Sequence, residues 1–132
     1  MHFEIIRKSD VKVTQWSGGT TSELFIFPRS GDFKSGLFDA RISIATVEAD
    51  ESLFTPLPGV SRTLMVLEGQ LTLKHIEHHS VHLKSLEQDS FLGDWTTQSV
   101  GKATDFNVMT KNDNTASVEA ITLNKTEIIA DL

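Results

Sequence analysis

Residues 38 to 47 read FDARISIATV. Side chains of an extended chain point alternately to its two faces, so Phe38, Ala40, Ile42 and Ile44 share one face and Asp39, Arg41, Ser43, Ala45 and Val47 the other. A period of two is that of a strand, and no window of this chain holds a helical period over more than two turns. Arg41 is thus a charge in the middle of a long strand. Periodicity alone leaves two readings of it. Either it faces solvent, as most charges do, or it points toward a barrel mouth, where its planar fork can bind a carboxylate.

The same alternation recurs on both sides of this segment. The expected strands are Phe3 to Arg7, Val11 to Trp16, Glu23 to Phe27, Phe38 to Val47, Thr63 to Leu67, Leu71 to Ile76, Val81 to Leu86, Lys102 to Met109 and Ser117 to Leu123. Pro28 to Gly36 and Pro56 to Gly59 carry the prolines with glycines and small polar residues, and read as loops. Glu68 and Gly69 lie between two apolar strands, and Gly69 can supply the positive φ of a hairpin turn. No internal repeat or low-complexity linker appears. Many short strands with closely spaced turns predict an all-β sandwich, jelly roll or small barrel rather than a parallel α/β fold.

Composition narrows the class. A chain of 132 residues, 39% hydrophobic and 23% charged, fits one globular domain with a real core, spanning residues 1 to 132. A net charge of −6 argues against a nucleic-acid partner, which calls for a basic stripe. No apolar run approaches the roughly 18 residues of a membrane span, and the first residues carry no signal-peptide core, so a cytoplasmic protein is expected. Zero cysteines remove disulfides, thiolate metal sites and cysteine nucleophiles.

Two segments far apart in sequence set polar groups inside this apolar pattern: WSGGTTSEL, from Trp16 to Leu24, and DFNVM, from Asp105 to Met109. Gly18 and Gly19 with the hydroxyls after them can form an anion nest of backbone donors, or serve a bulge or a close strand crossing. No Walker lysine or Rossmann spacing accompanies them. Asp105 and Asn107 share a strand face with Met109 while Phe106 and Val108 point away. Asp105 can act as a general base or as an acceptor for backbone donors. An amide between Phe106 and Val108 is expected to be partly buried and must find partners in protein, water or ligand. Arg62, between a Pro-rich loop and a strand, is either a solvated loop charge or a rim cation, and with Arg41 it can define a site for a small acid.

His75, His78, His79 and His82 crowd into HIEHHSVH. The run reads as a solvated hairpin tip in which adjacent His78 and His79 project oppositely. His75 and His82 can approach across the hairpin, but the pattern places no third ligand, so no metal or other cofactor is expected. No nucleophile elbow supports a hydrolase triad, and no catalytic residue is assigned.

WSGGTTSEL, FDARISIATVE, PLPGVSRTLMVLEGQLTL, FLGD and VGKATDFNVM occur in one order from about Trp16 to Met109, and together they resemble the HutD/Ves family. The resemblance implies a cupin-like double-stranded β-helix, or jelly-roll barrel, in proteins linked to histidine utilisation in some bacteria and to stress response in others. Relatives are thought to bind a small molecule, with no settled enzymatic activity. Trp16, Gly18, Gly19, Thr21 and Glu23 match the first family motif, although many relatives have a longer glycine run and an arginine where this chain has Ser22. Arg41 and Ser43 match the second, Pro58, Gly59 and Arg62 the third, Gly69 the hairpin turn, Gly93 and Asp94 the fourth, and Asp105, Phe106, Asn107 and Met109 the last. The histidine run matches none. Relatives usually continue into a second, smaller β-unit, which implies a shortened C-terminal segment from about residue 110 to 132. Its last strand is expected to pair with the barrel or with another subunit, as in a homodimer.

These readings converge on a protein that binds a small carboxylate metabolite as a sensor or accessory factor. The expected ligand-binding residues are Trp16, Thr21, Glu23, Arg41, Ser43, Arg62, Asp105 and Asn107. A competing class is a cupin-type isomerase, hydrolase or oxygenase acting on a small acid through Asp105 or a histidine-held metal. A third is an interaction barrel with no small ligand.

Overall fold

A computed structural model describes residues 12–111 in full, and residues 117–122 and 126–131 by their backbone. The expected strand Phe3 to Arg7 lies outside the described residues. Six strands form one antiparallel sheet: β1 (Lys12–Trp16), β2 (Gly19–Phe27), β3 (Ala40–Val47), β5 (Ser61–Gly69), β8 (Gln88–Leu92) and β10 (Ala103–Thr110), in the order β1-β2-β3-β10-β5-β8. The second sheet holds β4 (Glu51–Leu53), β6 (Leu71–His75), β7 (Ser80–Leu83) and β9 (Thr97–Val100), ordered β4-β9-β6-β7. β11 (Ser117–Thr122) and β12 (Thr126–Asp131) form a separate two-stranded sheet. The described residues contain no helix.

The main core forms where the two larger sheets face each other. Leu64 and Val66 of β5 and Leu71 and Leu73 of β6 are wholly buried there, with Phe91 of β8 and Phe54 from the loop after β4. A second cluster, Met65, Phe106 and Val108 with the half-buried Ile42 and Ile44, occupies the reverse face of the six-stranded sheet. Both faces of that sheet therefore carry apolar side chains, which a strict alternation of apolar and polar does not reveal.

Within this sheet the orientation of β3 follows from which of its side chains are more deeply buried. Arg41, Ser43, Ala45 and Val47 are its buried, inward face, whereas Ile42 and Ile44 lie on the reverse. The solvent-facing reading of Arg41 is overturned, since only 4% of the residue is exposed.

Two expectations about connection also change. Gly69 takes a positive φ of 85°, but β5 and β6 are not a hairpin. β5 pairs with β10 and β8, while β6 pairs with β7 and β9, so Gly69 and Gln70 form the corner at which the chain crosses between sheets. A Cβ at Gly69 would lie 2.5 Å from the Lys102 carbonyl oxygen, so the corner also needs glycine for space. The sheets make the all-β sandwich that a cupin-like jelly roll calls for, although their hydrogen bonds do not close it into a barrel among the described residues. The strand Ser117 to Leu123 pairs with β12, a strand not expected, rather than with either large sheet.

Candidate functional site

Strand register assembles the site. On the inward face, Arg41 of β3 lies opposite Met109 of β10, which lies opposite Arg62 of β5, which lies opposite Phe91 of β8. In the next rung Glu23, Ser43, Asn107 and Leu64 follow one another across four strands, and in the third Thr21, Ala45, Asp105 and Val66 do so. Bulges tune these rungs: β2 shifts register between Glu23 and Phe25, and the β10 pairing with β5 shifts between Thr104 and Asp105. Bulges of this kind re-aim side chains beside functional sites. Trp16 joins from the end of β1, and all eight residues expected from the sequence line a single cavity of about 220 Å³.

The glycine pair serves packing rather than anion binding. Ser17 and Gly18 form the tight turn between Trp16 and Gly19, which oppose each other in the β1–β2 register. The Gly18 carbonyl accepts bonds from the Glu48 and Ala49 amides at 2.7 and 3.1 Å. A Cβ at Gly18 would sit 2.2 Å from the Trp16 ring, and one at Gly19 would sit 1.9 Å from the Thr46 carbonyl oxygen. Glycine here lets the indole fold over its own turn toward the cavity.

The family's third and fourth motifs, PLPGV and FLGD, clasp each other. Asp94 accepts a bond from the Gly59 amide at 3.1 Å, and Gly93 packs so closely on Leu57 that a Cβ would meet its carbonyl oxygen at 2.3 Å. This clasp holds the loop that leads into Arg62.

Inside the cavity the charges are ordered in two groups. Arg41 Nε donates to Glu23 Oε1 at 3.0 Å, and its guanidinium lies 3.8 Å from the Phe33 ring centroid. The second group is a buried chain: Arg62 Nη2 donates to Asn107 Oδ1 at 3.2 Å, and Asn107 Nδ2 donates to Asp105 Oδ1. Arg62 is flanked by the Phe54 and Phe91 rings at 5.2 and 5.0 Å. The amide of Asn107 is therefore satisfied on both sides by protein. It links Arg62 to Asp105 through one side chain.

Burial dominates both titrations. Desolvation raises the Asp105 carboxyl from 3.8 to about 7, against the opposing pull of Arg62 and of the Asn107 bond. Desolvation likewise lowers Arg62 to about 10, with Asp105 opposing and Arg41 adding to the fall, which leaves the guanidinium charged at neutral pH. The cavity thus holds cationic Arg62 beside a carboxyl poised between its two forms. Two buried donors on its lining residues, Trp16 Nε1 and Arg62 Nε, have no acceptor among the described residues. A buried donor without a partner costs on the order of 1–3 kcal/mol.

Sequence reasoning missed several lining residues. Phe33 comes from the loop before β3, and Phe54 and Leu57 from the connection between β4 and β5, where no periodicity announces which way a side chain points. Lys12 and Lys34 add cations at the cavity wall. Asp89 was missed for a different cluster. The notion that His75 approaches His82 is corrected: His82 lies opposite Thr72 and bonds Thr72 Oγ1 and Gln70 Oε1, whereas His75 lies with His79 against Asp89.

Two facing antiparallel sheets with a cavity of charged and apolar side chains on the inner face of the larger one define a cupin-like fold. The HutD family model matches residues 8–130, and the chain belongs to the HutD family. Among solved structures it is similar to a conserved protein of unknown function from Pseudomonas aeruginosa, at 26% identity and a TM-score of 0.75 over 88% of this chain and 61% of that one. HutD from Pseudomonas fluorescens gives 23% identity and a TM-score of 0.74 over 89% of this chain and 65% of that one. The chain therefore spans less than two thirds of the length of either. The fold also resembles the cupin domain of a transcriptional regulator from Enterobacter cloacae, at 16% identity and a TM-score of 0.56 over 73% of this chain and 99% of that domain. No curated protein matches the chain. No helix among the described residues is long and apolar enough to cross a membrane.

Proposed function

We propose that this HutD-family chain binds a small carboxylate-bearing metabolite in the 220 Å³ cavity and serves as a sensor or accessory factor. One observation carries the reading: strand register converges Arg41 and Arg62 on one cavity whose buried donors, Trp16 Nε1 and Arg62 Nε, lack acceptors among the described residues. A carboxylate offers two oxygens to such donors, and guanidinium recognises it in a planar fork. The volume lies below the roughly 300 Å³ at which drug-sized sites begin, which favours a ligand of metabolite size.

Cation supply favours an acid as well. Glu23 already engages Arg41 Nε, but Arg62 faces Asp105, a carboxyl that burial holds half protonated near neutrality. An arriving carboxylate can take over as counter-ion to Arg62 as Asp105 takes up a proton.

A second reading rests on the same carboxyl. An aspartate with a pKa of about 7, in a cavity beside a fixed arginine, is what general acid–base catalysis on a bound acid requires. Screening mono- and dicarboxylates, including the histidine-pathway acids urocanate and formylglutamate, by thermal shift tests the binding reading. A ligand at 100 times its dissociation constant stabilises the fold by about 2.7 kcal/mol. Depletion of the stabilising acid over time in the same samples, abolished by Asp105→Asn, would move the assignment to the catalytic reading.

A further inference from the structure

We infer that His75, His79 and Asp89 form a second site, separate from the cavity, that binds a first-row divalent transition-metal ion such as Co²⁺ or Zn²⁺. The three residues come from β6, the β6–β7 turn and β8, and one ligand atom from each lies within 4.8 Å of the others. His75 Nε2 is 2.7 Å from Asp89 Oδ2, and His79 Nε2 is 2.8 Å from Asp89 Oδ1. Two imidazole nitrogens around a carboxylate are a ligand set that first-row metals take readily.

Three features make this more than a chance meeting of surface histidines. The turn that delivers His79 is a tight one: His78 N–H donates to the His75 carbonyl at 2.9 Å, and His75 N–H donates to the His79 carbonyl at 3.1 Å. Its Glu77 adopts a φ of 67°, a left-handed conformation that a non-glycine residue enters at a cost. That turn folds the His79 ring to 4.6 Å from the His75 ring.

His75 is also held from behind. It is buried, and its Nδ1 lies 2.7 Å from Thr97 Oγ1 of β9, the partner that fixes ring orientation in metal sites. The hydroxyl suits either tautomer. It can donate to Nδ1 when Nε2–H bonds Asp89, and accept from Nδ1–H when Nε2 gives its lone pair to a metal. Phe91 and Trp95 pack on the His75 ring at 4.5 and 5.5 Å, walling one side of the cluster. By contrast, the His79 side chain is 44% exposed, which leaves the metal an entry path and room for water or an exchangeable ligand.

Metal would replace the protons now shared between each imidazole and Asp89. No arginine or lysine is among the three ligand residues; His75 and Arg62 both pack on the Phe91 ring, at 4.5 and 5.0 Å from its centroid. None of the three residues lines the cavity described above.

Titrating Co²⁺ into protein prepared without a histidine tag, followed by Zn²⁺ competition, tests the assignment. The expected result is one equivalent of cobalt with visible d–d bands that zinc displaces. His79→Ala and Asp89→Asn should each weaken binding by at least tenfold. Thr97→Val should weaken it by about 10–100-fold through the lost partner of Nδ1, whereas His82→Ala should leave it unchanged. Circular dichroism of each variant establishes that it is folded. Absence of stoichiometric cobalt, or equal affinity in wild type, His79→Ala and Asp89→Asn, would overturn the assignment. So would a loss in His82→Ala as large as in His79→Ala.

Discussion

Asp105 is the residue on which the chemistry of the cavity turns. Burial lifts its carboxyl to about 7, so between about pH 4 and pH 7 the folded protein retains a proton that the unfolded chain releases. A carboxyl raised in this way favours folding less as pH rises, because the unfolded state binds fewer protons than the native one throughout that window. Stability is expected to fall through it by at most about 1.4 kcal/mol per pH unit from this group. Asp105→Asn preserves the acceptor for Asn107 and removes the titration. Urea melts at pH 5, 6 and 7 should therefore show wild type losing stability relative to Asp105→Asn, and parallel profiles would show that Asp105 titrates normally.

Strand β3 and the β1–β2 turn carry the lesson about what could be read in advance. The period of FDARISIATV gave the strand and its two faces, but not which face is inward, because apolar side chains cover both sides of the six-stranded sheet. Register resolved it, by placing Arg41 in line with Arg62 across β10. β4, β8 and β9 escaped notice because ESL, QDSFL and TQSV are short and polar, with apolar residues too few to establish a period. Asp89 escaped with them, and with it the third member of the histidine cluster. The glycines of WSGGTTSEL were visible, and steric closeness decides their role. Gly19→Ala drives a Cβ against a backbone oxygen that cannot rotate away, so it should destabilise by about 1–3 kcal/mol in denaturant unfolding.

For the molecule as a whole, the order of the five motifs was enough to indicate a cupin-like fold and the HutD family. All eight residues singled out along 92 positions of sequence, from Trp16 to Asn107, line one cavity. The crossing at Gly69 and Gln70 was not legible, since a two-residue hairpin and a jump between sheets ask the same φ of glycine. The proposed carboxylate ligand rests on two guanidinium groups and on two donors without acceptors among the described residues. Calorimetry of the most stabilising carboxylate against wild type, Arg41→Ala and Arg62→Ala is the measurement that bears on this account above others. Binding to wild type with at least tenfold weaker affinity in each folded variant is the result expected. Unchanged affinity in both would place the ligand elsewhere and contradict it.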